Sequence, residues 1–455
     1  MKVIIIGAGK VGYIAAETLS DTHDVLVIDK DPATASHVRD RLNISVMNLD
    51  GTNPKSLKTA VESHQAQVVI STLHNDDSNL FVAMMAKRLD SNILTIASIT
   101  NPDFILDDDT AEKLGVDIVI SPELITAEKI YKLCVLENAI EYEKIQLFNV
   151  SMVLFEVPPD SELIGKVVIN TFVPENCTVF GLYRNWVPEL RCDIAEIHAG
   201  DIIGMIGSEK ALEEYNQALG VKIISRDITV LGGTIVGKNI CRLLSSDGRK
   251  RSIRIYDKDR DVCKELSEAL TGVEIGHEDF TDPQMQVNEN IFRSDCLVTV
   301  TNQDDTNLLM SMAATNAKTN KIISRYLKKE YMSIFAYTGL TAIVGFDRIV
   351  TNQISRCVMS DSKVILRLRD FDQQFFIHDV NKRSKLLGKY YGDLVMDKAV
   401  RIVAIKRQDK LIYPRMDTQF LEGDQAMVFT SKAKDKDLAK IFGRTVLTEG
   451  MADEF

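Results

Sequence analysis

The sequence predicts an α/β protein of two doubly wound parallel-sheet domains, each followed by a small α+β domain. Three observations predict it. Short, wholly apolar runs alternate with helix-length segments. The order of those runs is stated twice along the chain. A shorter β-rich stretch follows each copy. Runs apolar at every position suit strands covered on both faces, the environment of a parallel sheet. Their alternation with helices is the pattern of a doubly wound fold.

In chain order, strands of the first domain are expected at Val3–Ile6, Val25–Ile28, Val68–Ser71, Ile93–Ala97 and Ile118–Ile120. The repeat is read from matched segments. "IIIGAGKVG" (Ile4–Gly12) is echoed by "TVLGGTIVG" (Thr229–Gly237), and "VLVIDKD" (Val25–Asp31) by "IRIYDKD" (Ile253–Asp259). "LDGTNP" (Leu49–Pro54) matches "EDFTDP" (Glu278–Pro283), and "HNDDSNL" (His74–Leu80) matches "NQDDTNL" (Asn302–Leu308). "GVDIVISPELITAEKI" (Gly115–Ile130) matches "GLTAIVGFDRIVTNQI" (Gly339–Ile354). The repeat runs on into the small pieces: "SELIGK" (Ser161–Lys166) with "SKLLGK" (Ser384–Lys389), and "AGDIIGMIGS" (Ala199–Ser208) with "EGDQAMVFTS" (Glu422–Ser431). One such match could be chance; a series in unchanged order is an internal duplication. The pieces fall at 1–135, 140–222, 225–355 and 360–445.

The bulk properties exclude several classes. The chain has 455 residues, 45% hydrophobic and 26% charged, with a net charge of -11. That balance argues against a nucleic-acid partner, which needs a basic surface. The longest uncharged stretch, Tyr331–Phe346, is broken by Thr338 and Gly339 and is too short to cross a bilayer. The apolar run Val3–Ile6 is too short for a signal peptide. Seven cysteines without a Cys-x-x-Cys pair fit a reducing compartment and no zinc site.

The first strand leads into Gly7, Ala8, Gly9, Lys10, Val11 and Gly12, a Gly-x-Gly-x-x-Gly loop that opens a helix. Gly7 permits the tight turn, Gly9 lets a pyrophosphate approach the backbone, and Gly12 lets helix and sheet pack closely. The helix N-terminus offers free N–H groups to phosphate. Asp29, followed by Lys30, ends the second strand, where a carboxylate accepts from ribose hydroxyls and disfavours a 2′-phosphate, hence NADPH. Together these make the large domains Rossmann-like and nucleotide-binding. The second copy keeps Gly232, Gly233, Ile235, Val236, Gly237 and Asp257 but has Thr234 where Gly9 stands. It reads as a weaker or differently selective site, or a degenerate structural copy. Asp50 and Asp279 follow the third strands and are expected either to meet an adenine amino group or to close a local turn.

Catalysis is not expected. Of seven histidines only His74 falls at a strand end facing the crevice, and the second copy has Asn302 there. No Gly-x-x-x-x-Gly-Lys-Ser/Thr is present, which disfavours P-loop hydrolysis. No metal site is assigned; "DDDT" (Asp107–Thr110) reads first as a helix start and only secondarily as a divalent-ion site. The twin "DDSN" and "DDTN" segments read as helix caps at the rims of the two crevices. Segments Ile120–Ile140 and Val344–Ile354 join large to small pieces, as hinges or dimer arms or as packing within one subunit.

"MKVIIIGAGKVG", "VIDKD", "DDSN" with "DDTN", "ISPELITAEKI" and the two "GD" turns carry a resemblance over essentially the whole chain. The chain resembles the Trk potassium-uptake regulatory subunits, a family with tandem regulator-of-potassium-conductance modules. The resemblance implies NAD(H) or adenine-nucleotide binding in the large domains. It also implies a homo-oligomeric dimer or tetramer ring, peripheral on the cytoplasmic face of the membrane, gating a membrane-embedded potassium transporter. It places Thr72, Leu73 and His74 at the edge of the first crevice, and Thr301 and Asn302 at the second. The family's arginine after the fifth strand is Ser98 in the first copy and Arg325 in the second, so the sites are expected to be unequal. Two other readings remain open: a nicotinamide-dependent oxidoreductase, and a gating ring for another cation channel or antiporter.

Overall fold

The computed structural model describes residues 1–104, 110–189, 194–220, 225–358, 364–368, 373–396, 399–431 and 435–443. The first module runs β1 (Lys2–Ile6), α1 (Lys10–Ser20), β2 (Asp24–Asp29), α2 (Pro32–Leu42), β3 (Ser45–Asn48), α3 (Pro54–His64), β4 (Val68–Ser71), α4 (Asp76–Leu89), β5 (Leu94–Ser98), α5 (Thr110–Lys113) and β6 (Ile118–Ile120). Its strands form one parallel sheet in the order β3-β2-β1-β4-β5-β6. Val3–Ile6 and Val68–Ser71 are buried throughout, as strands covered on both faces require. Asp31 and Asn53 cap α2 and α3, each with proline at the next position. Helix α6 (Pro122–Val135) leads to small domain one: β7 (Ala139–Ile145), β8 (Val150–Glu156), β9 (Cys177–Arg184), β10 (Val187–Glu189), β11 (Ile202–Gly207) and α7 (Glu209–Ala218). Its sheet is antiparallel, in the order β10-β9-β11-β8-β7.

The second half repeats this plan. It runs β12 (Asp227–Leu231), α8 (Ile235–Ser246), β13 (Ser252–Asp257), α9 (Arg260–Ala269), β14 (Glu274–His277), α10 (Pro283–Asn288), β15 (Cys296–Thr299), α11 (Asp304–Asn316), β16 (Lys321–Tyr326), α12 (Met332–Ala336), β17 (Ala342–Gly345) and α13 (Phe346–Val358). Small domain two has β18 (Val364–Arg367), β19 (Gln373–Asp379), β20 (Val400–Arg407), β21 (Lys410–Ile412), β22 (Gln425–Ser431) and α14 (Asp435–Phe442). The two sheets, β14-β13-β12-β15-β16-β17 and β18-β19-β22-β20-β21, reproduce the first pair. Among the described residues no helix is long and apolar enough to cross a membrane.

The helices that close each module are exchanged. Ala127, Ile130 and Leu133 of α6 join a core with Ile240, Cys241 and Leu244 of α8 and with β12 and β15, all in the second module. Reciprocally, Phe346, Val350, Ile354 and Val358 of α13 pack with Val3, Ile5, Ile14, Ala15 and Leu19 of the first. The Val, Leu, Ile and Phe side chains among these contribute about 1.5–3 kcal/mol each by burial, so the exchange ties the modules firmly. Thr18–Thr351 (3.2 Å) and Glu17–Lys329 (2.7 Å) add polar contacts beside α13. The small domains pair too: Phe180, Phe375 and Phe429 meet at ring-centroid distances of 4.9–5.1 Å where their sheets face each other.

Where α6, α13 and β7 meet lies a buried charge cluster. Lys129 on α6 reaches Glu141, and Glu143 at 2.7 Å. Arg348 on α13 reaches both oxygens of Glu141 at 3.0 and 3.1 Å. Two bases and two acids thus neutralise one another away from water. At the far end of α6, the buried Lys321 ammonium donates to the carbonyls of Leu136 (2.8 Å), Glu137 (2.9 Å) and Ala139 (3.2 Å). A cation there complements the negative end of the helix dipole, and it pins α6 to β16.

Candidate functional site

The C-terminal edge of the first sheet opens into a crevice of about 500 Å³. Gly7, with φ of +96°, makes the turn after β1; a Cβ there would stand 2.8 Å from the Thr72 carbonyl. A Cβ on Gly12 would lie 1.9 Å from the Gly7 carbonyl oxygen, so helix and loop touch. A Cβ on Gly9 would meet nothing within 4 Å. Gly9 is also the N-cap of α1 and supplies no side-chain cap. The start of α1 therefore faces open space with its N–H groups available, the arrangement that receives phosphate.

Asp29 braces this loop from the end of β2. Its carboxylate accepts from Ala8 N–H (2.7 Å) and Asp31 N–H (2.8 Å) and still lines the crevice. Lys30, Thr72, Leu73, His74 and Ser98 also line it, with Gly9, Lys10 and Val11. Asp50 lines it while closing a turn on the Thr52 N–H (2.9 Å) and hydroxyl (2.7 Å). Those bonds hold its pKa below the ordinary value. Asp279 makes the same turn with Thr281, and the hydrogen bonds lower its pKa likewise. Lys10 stands over the Phe346 ring at 5.7 Å; desolvation, then the Arg325 guanidinium, lower its pKa. His74 is exposed.

Glu123, in the first turn of the exchanged helix α6, forms part of the crevice wall. Burial raises its pKa against the opposing pull of Arg325 and Lys10, and its Oε2 has no hydrogen-bond partner among the described residues. Sequence reasoning did not place it here, although "SPE" after β6 marks the spot. Thr52, Asn75, Ser78 and Thr100 were missed as well.

The second copy is built differently at the matching places. Asp257 accepts from Gly233 N–H (2.7 Å) and Asp259 N–H (3.0 Å), as Asp29 does. Thr234, however, caps α8: its hydroxyl accepts from Gly237 N–H (3.2 Å) and donates to the Val300 carbonyl (2.9 Å). Ile235 is exposed and Val236 buried. Arg325 is 2% exposed, and its NH2 donates to the carbonyls of Val300 and Thr301 (2.8 Å each) and to Asn302 (3.2 Å). Burial brings its pKa down to about 10, against Glu123 and Asp304, which raise it.

The twin acidic segments are braces rather than caps, which corrects the expectation. The N-caps are Asn75 and Gln303, and neither side chain caps. Asp76 accepts from the N–H groups of Thr100 (2.9 Å) and Asn101 (2.8 Å), and Asp304 from Leu327 (2.7 Å) and Lys328 (3.2 Å). Asn79 and Asn307 reach back to Leu73 and Thr301 and across to the carbonyls of Ser98 and Arg325. Each motif ties the loops after two neighbouring strands to one helix, because side chains at the helix start lie between those loops. Residues 105–109, which hold most of "DDDT", lie outside the described residues.

The pattern of the TrkA-N domain matches residues 3–122 and 228–350, together more than half of the chain. The chain belongs to the TrkA-N family. Relatives of the TrkA-N chain span nearly its whole length. The Trk system potassium uptake protein TrkA homolog 1 of Methanosarcina mazei is 28% identical, covering 97% of this chain and 100% of its own. The TrkA homolog of Archaeoglobus fulgidus is also 28% identical with the same coverage. TrkA of Vibrio alginolyticus is 22% identical, over 95% and 96%. Among solved structures, the GsuK RCK domain superposes with a TM-score of 0.64 at 15% identity, over 96% of this chain and 94% of that one. The GsuK channel bound to NAD gives 0.64 at 16%, over 96% and 79%. At that identity the likeness shows the fold alone.

The same duplication explains the "GD" turns of this TrkA-N protein. Asp201 takes a two-pronged contact from Arg184 (2.9 and 2.8 Å) and the N–H of His198 (2.8 Å). Asp424 takes the same from Arg407 (2.7 and 2.8 Å) and Leu421 (2.9 Å). Both aspartates are buried, so these motifs hold the small domains together and leave no free carboxylate.

Proposed function

We propose that this protein is a nucleotide-sensing regulatory subunit, peripheral on the inner face of the membrane, that gates a membrane-embedded potassium-uptake transporter. The observation that carries this reading is the open Gly9 cradle at the uncapped start of α1, edged by Asp29. NAD(H) or ADP/ATP would lay its phosphates against the Gly7–Gly12 loop, with ribose hydroxyls at Asp29 and the adenine toward Asp50. The full-length similarity to TrkA proteins supports the transport role. The chain acts as a binding protein rather than an enzyme: His74 stands exposed with no comparable acid or base in the second copy, where Asn302 takes its place.

Binding changes output only if two arrangements bind the ligand differently. Helix α6 supplies the coupling. It starts with Glu123 in the crevice wall, packs on the second module, and ends at the small domain. A nucleotide that shifts Glu123 therefore shifts the angle between modules and small domains.

Ring formation with further copies follows from a duplicated surface. Phe81 and Met84 on α4 are 44% and 46% exposed, and their counterparts Leu309 and Met312 on α11 are 58% and 47% exposed. Equivalent apolar pairs on both modules suit association with the same faces of another copy.

The decisive experiment measures potassium flux through the reconstituted transporter with this protein, with and without NADH or ADP. Gly9→Asp is expected to abolish nucleotide binding and nucleotide-dependent flux together. No binding of either nucleotide to the native chain, or flux that does not respond to them, would sink the reading. Consumption of NADH absorbance with a carbonyl substrate would instead favour an oxidoreductase.

A further inference from the structure

We propose that the second crevice is closed on itself and that each chain holds one nucleotide, in the first crevice; Thr234 and Arg325 are the residues that decide this. The proposal rests on the nucleotide-binding reading above. It is carried by what the phosphate-binding donors of each copy do in the structure.

A dinucleotide loop recognises phosphate through the N–H groups at the start of its helix and, where present, through a nearby guanidinium. In the first copy the close-approach residue is Gly9, which leaves the start of α1 uncapped and its front open. In the second it is Thr234. Its hydroxyl takes the Gly237 N–H that a phosphate oxygen would take. The same hydroxyl donates to the Val300 carbonyl, so it straps the glycine loop to the loop after β15. Thr234 thus stands where Gly9 leaves room.

Arg325 closes the other side. Its terminal nitrogen holds three acceptors, Val300 O, Thr301 O and Asn302 Oδ1. Turning it to a phosphate would leave two carbonyls and a buried guanidinium without these bonds, and unmade hydrogen bonds away from water are expensive. Ser98, at the matching place in the first copy, is too short to span the loop in this way, and Thr72, Leu73 and His74 line the open crevice. In the first copy the glycine loop is tied from the other side, by the Thr72 hydroxyl donating to the Gly7 carbonyl (2.9 Å), which leaves the N–H groups at the start of α1 unoccupied. Thr234 and Arg325 therefore close the second crevice, and neither has a counterpart of the same reach in the first.

The test counts nucleotides on the full chain after co-purified nucleotide has been stripped. Calorimetry with NADH, and separately with ADP, is expected to give one equivalent per chain for the better probe. Gly9→Asp removes that equivalent while the circular dichroism and melting temperature stay unchanged, because Gly9 has φ of -65° and open space around it. The double variant Thr234→Gly/Arg325→Ser raises the count to two. Two equivalents on the native chain, or one that survives Gly9→Asp, overturns this inference and leaves the nucleotide reading standing. A double variant that stays at one overturns the roles given to Thr234 and Arg325. No binding of either probe overturns the nucleotide reading and this inference with it.

Discussion

Asn79 is 1% exposed and engages four partners: the Ser71 hydroxyl (2.8 Å), Leu73 N–H (2.6 Å), and the carbonyls of Leu73 (2.9 Å) and Ser98 (2.8 Å). Asn79→Ala strands all four, each at about 1–3 kcal/mol, so a loss of about 3 kcal/mol or more is expected in urea unfolding of the first module. Asn79→Asp keeps the acceptor side but sets a buried carboxylate against the Leu73 and Ser98 carbonyls, so it should cost at least as much. A second residue-scale prediction concerns acid. Burial pushes the Asp201 carboxyl up, but Arg184 and the His198 N–H outweigh this and hold its pKa below the ordinary value. A depressed folded pKa adds stability above the unfolded pKa of about 3.9, and that stability is lost as pH falls through the folded value. Asp201→Asn should therefore cost about 2 kcal/mol at neutral pH and almost nothing at the acid end, measured as unfolding midpoints from pH 7 to pH 2. At this scale the sequence was legible where geometry is local. Gly7, Gly9, Gly12 and Asp29 lie within one β-α-β unit, so their spacing alone places the tight turn at Gly7 and the close packing at Gly12. Asp76 was not legible, because its partners Thr100 and Asn101 lie across the sheet edge and only the folded loop brings them near.

Helices α6 and α13 were legible as segments joining large to small pieces, but an apolar helix face says only that it is buried, not what covers it. The exchange between modules depends on which of two equivalent sheets the helix reaches, and both present the same kind of surface. Glu123 was missed for this reason: it enters the first crevice from a helix whose body belongs to the other module. The charge cluster at the end of this exchange is one-sided. Its members Lys129 and Arg348 match Gln353 and Leu124 in the duplicated alignment. Arg348→Met leaves Glu141 and Glu143 with Lys129 alone, and breaking a buried pair from one side costs about 3–5 kcal/mol. Arg348→Met/Glu141→Gln should recover part of that loss, because the stranded charge is gone. Chemical denaturation of both variants decides the matter; equal stability of Arg348→Met and the native protein would show the cluster to be idle.

At the scale of the whole molecule, the proposed ring rests on the duplicated apolar surfaces of α4 and α11. If copies associate through them, Phe81→Glu with Leu309→Glu, which places charge on both exposed apolar pairs, reduces the proposed assembly to single chains by light scattering with the fold intact. A half chain ending at residue 220 lacks α13, so the surface formed by Val3 and Ile5 of β1 with Ile14 of α1 loses its cover. It should form a dimer in which each α6 packs on the other copy, and a stable monomer would contradict the exchange. In the native chain the two partners are covalently joined, so their effective concentration never falls with dilution. The join has a consequence for descent. In an assembly of identical halves, a mutation that shuts a ligand site shuts every copy of it. In a fused pair, one half can lose its ligand while the other keeps it, and the loss is inherited without loss of response. Gly9 beside Thr234 is the kind of divergence that only a tethered pair can accumulate one residue at a time.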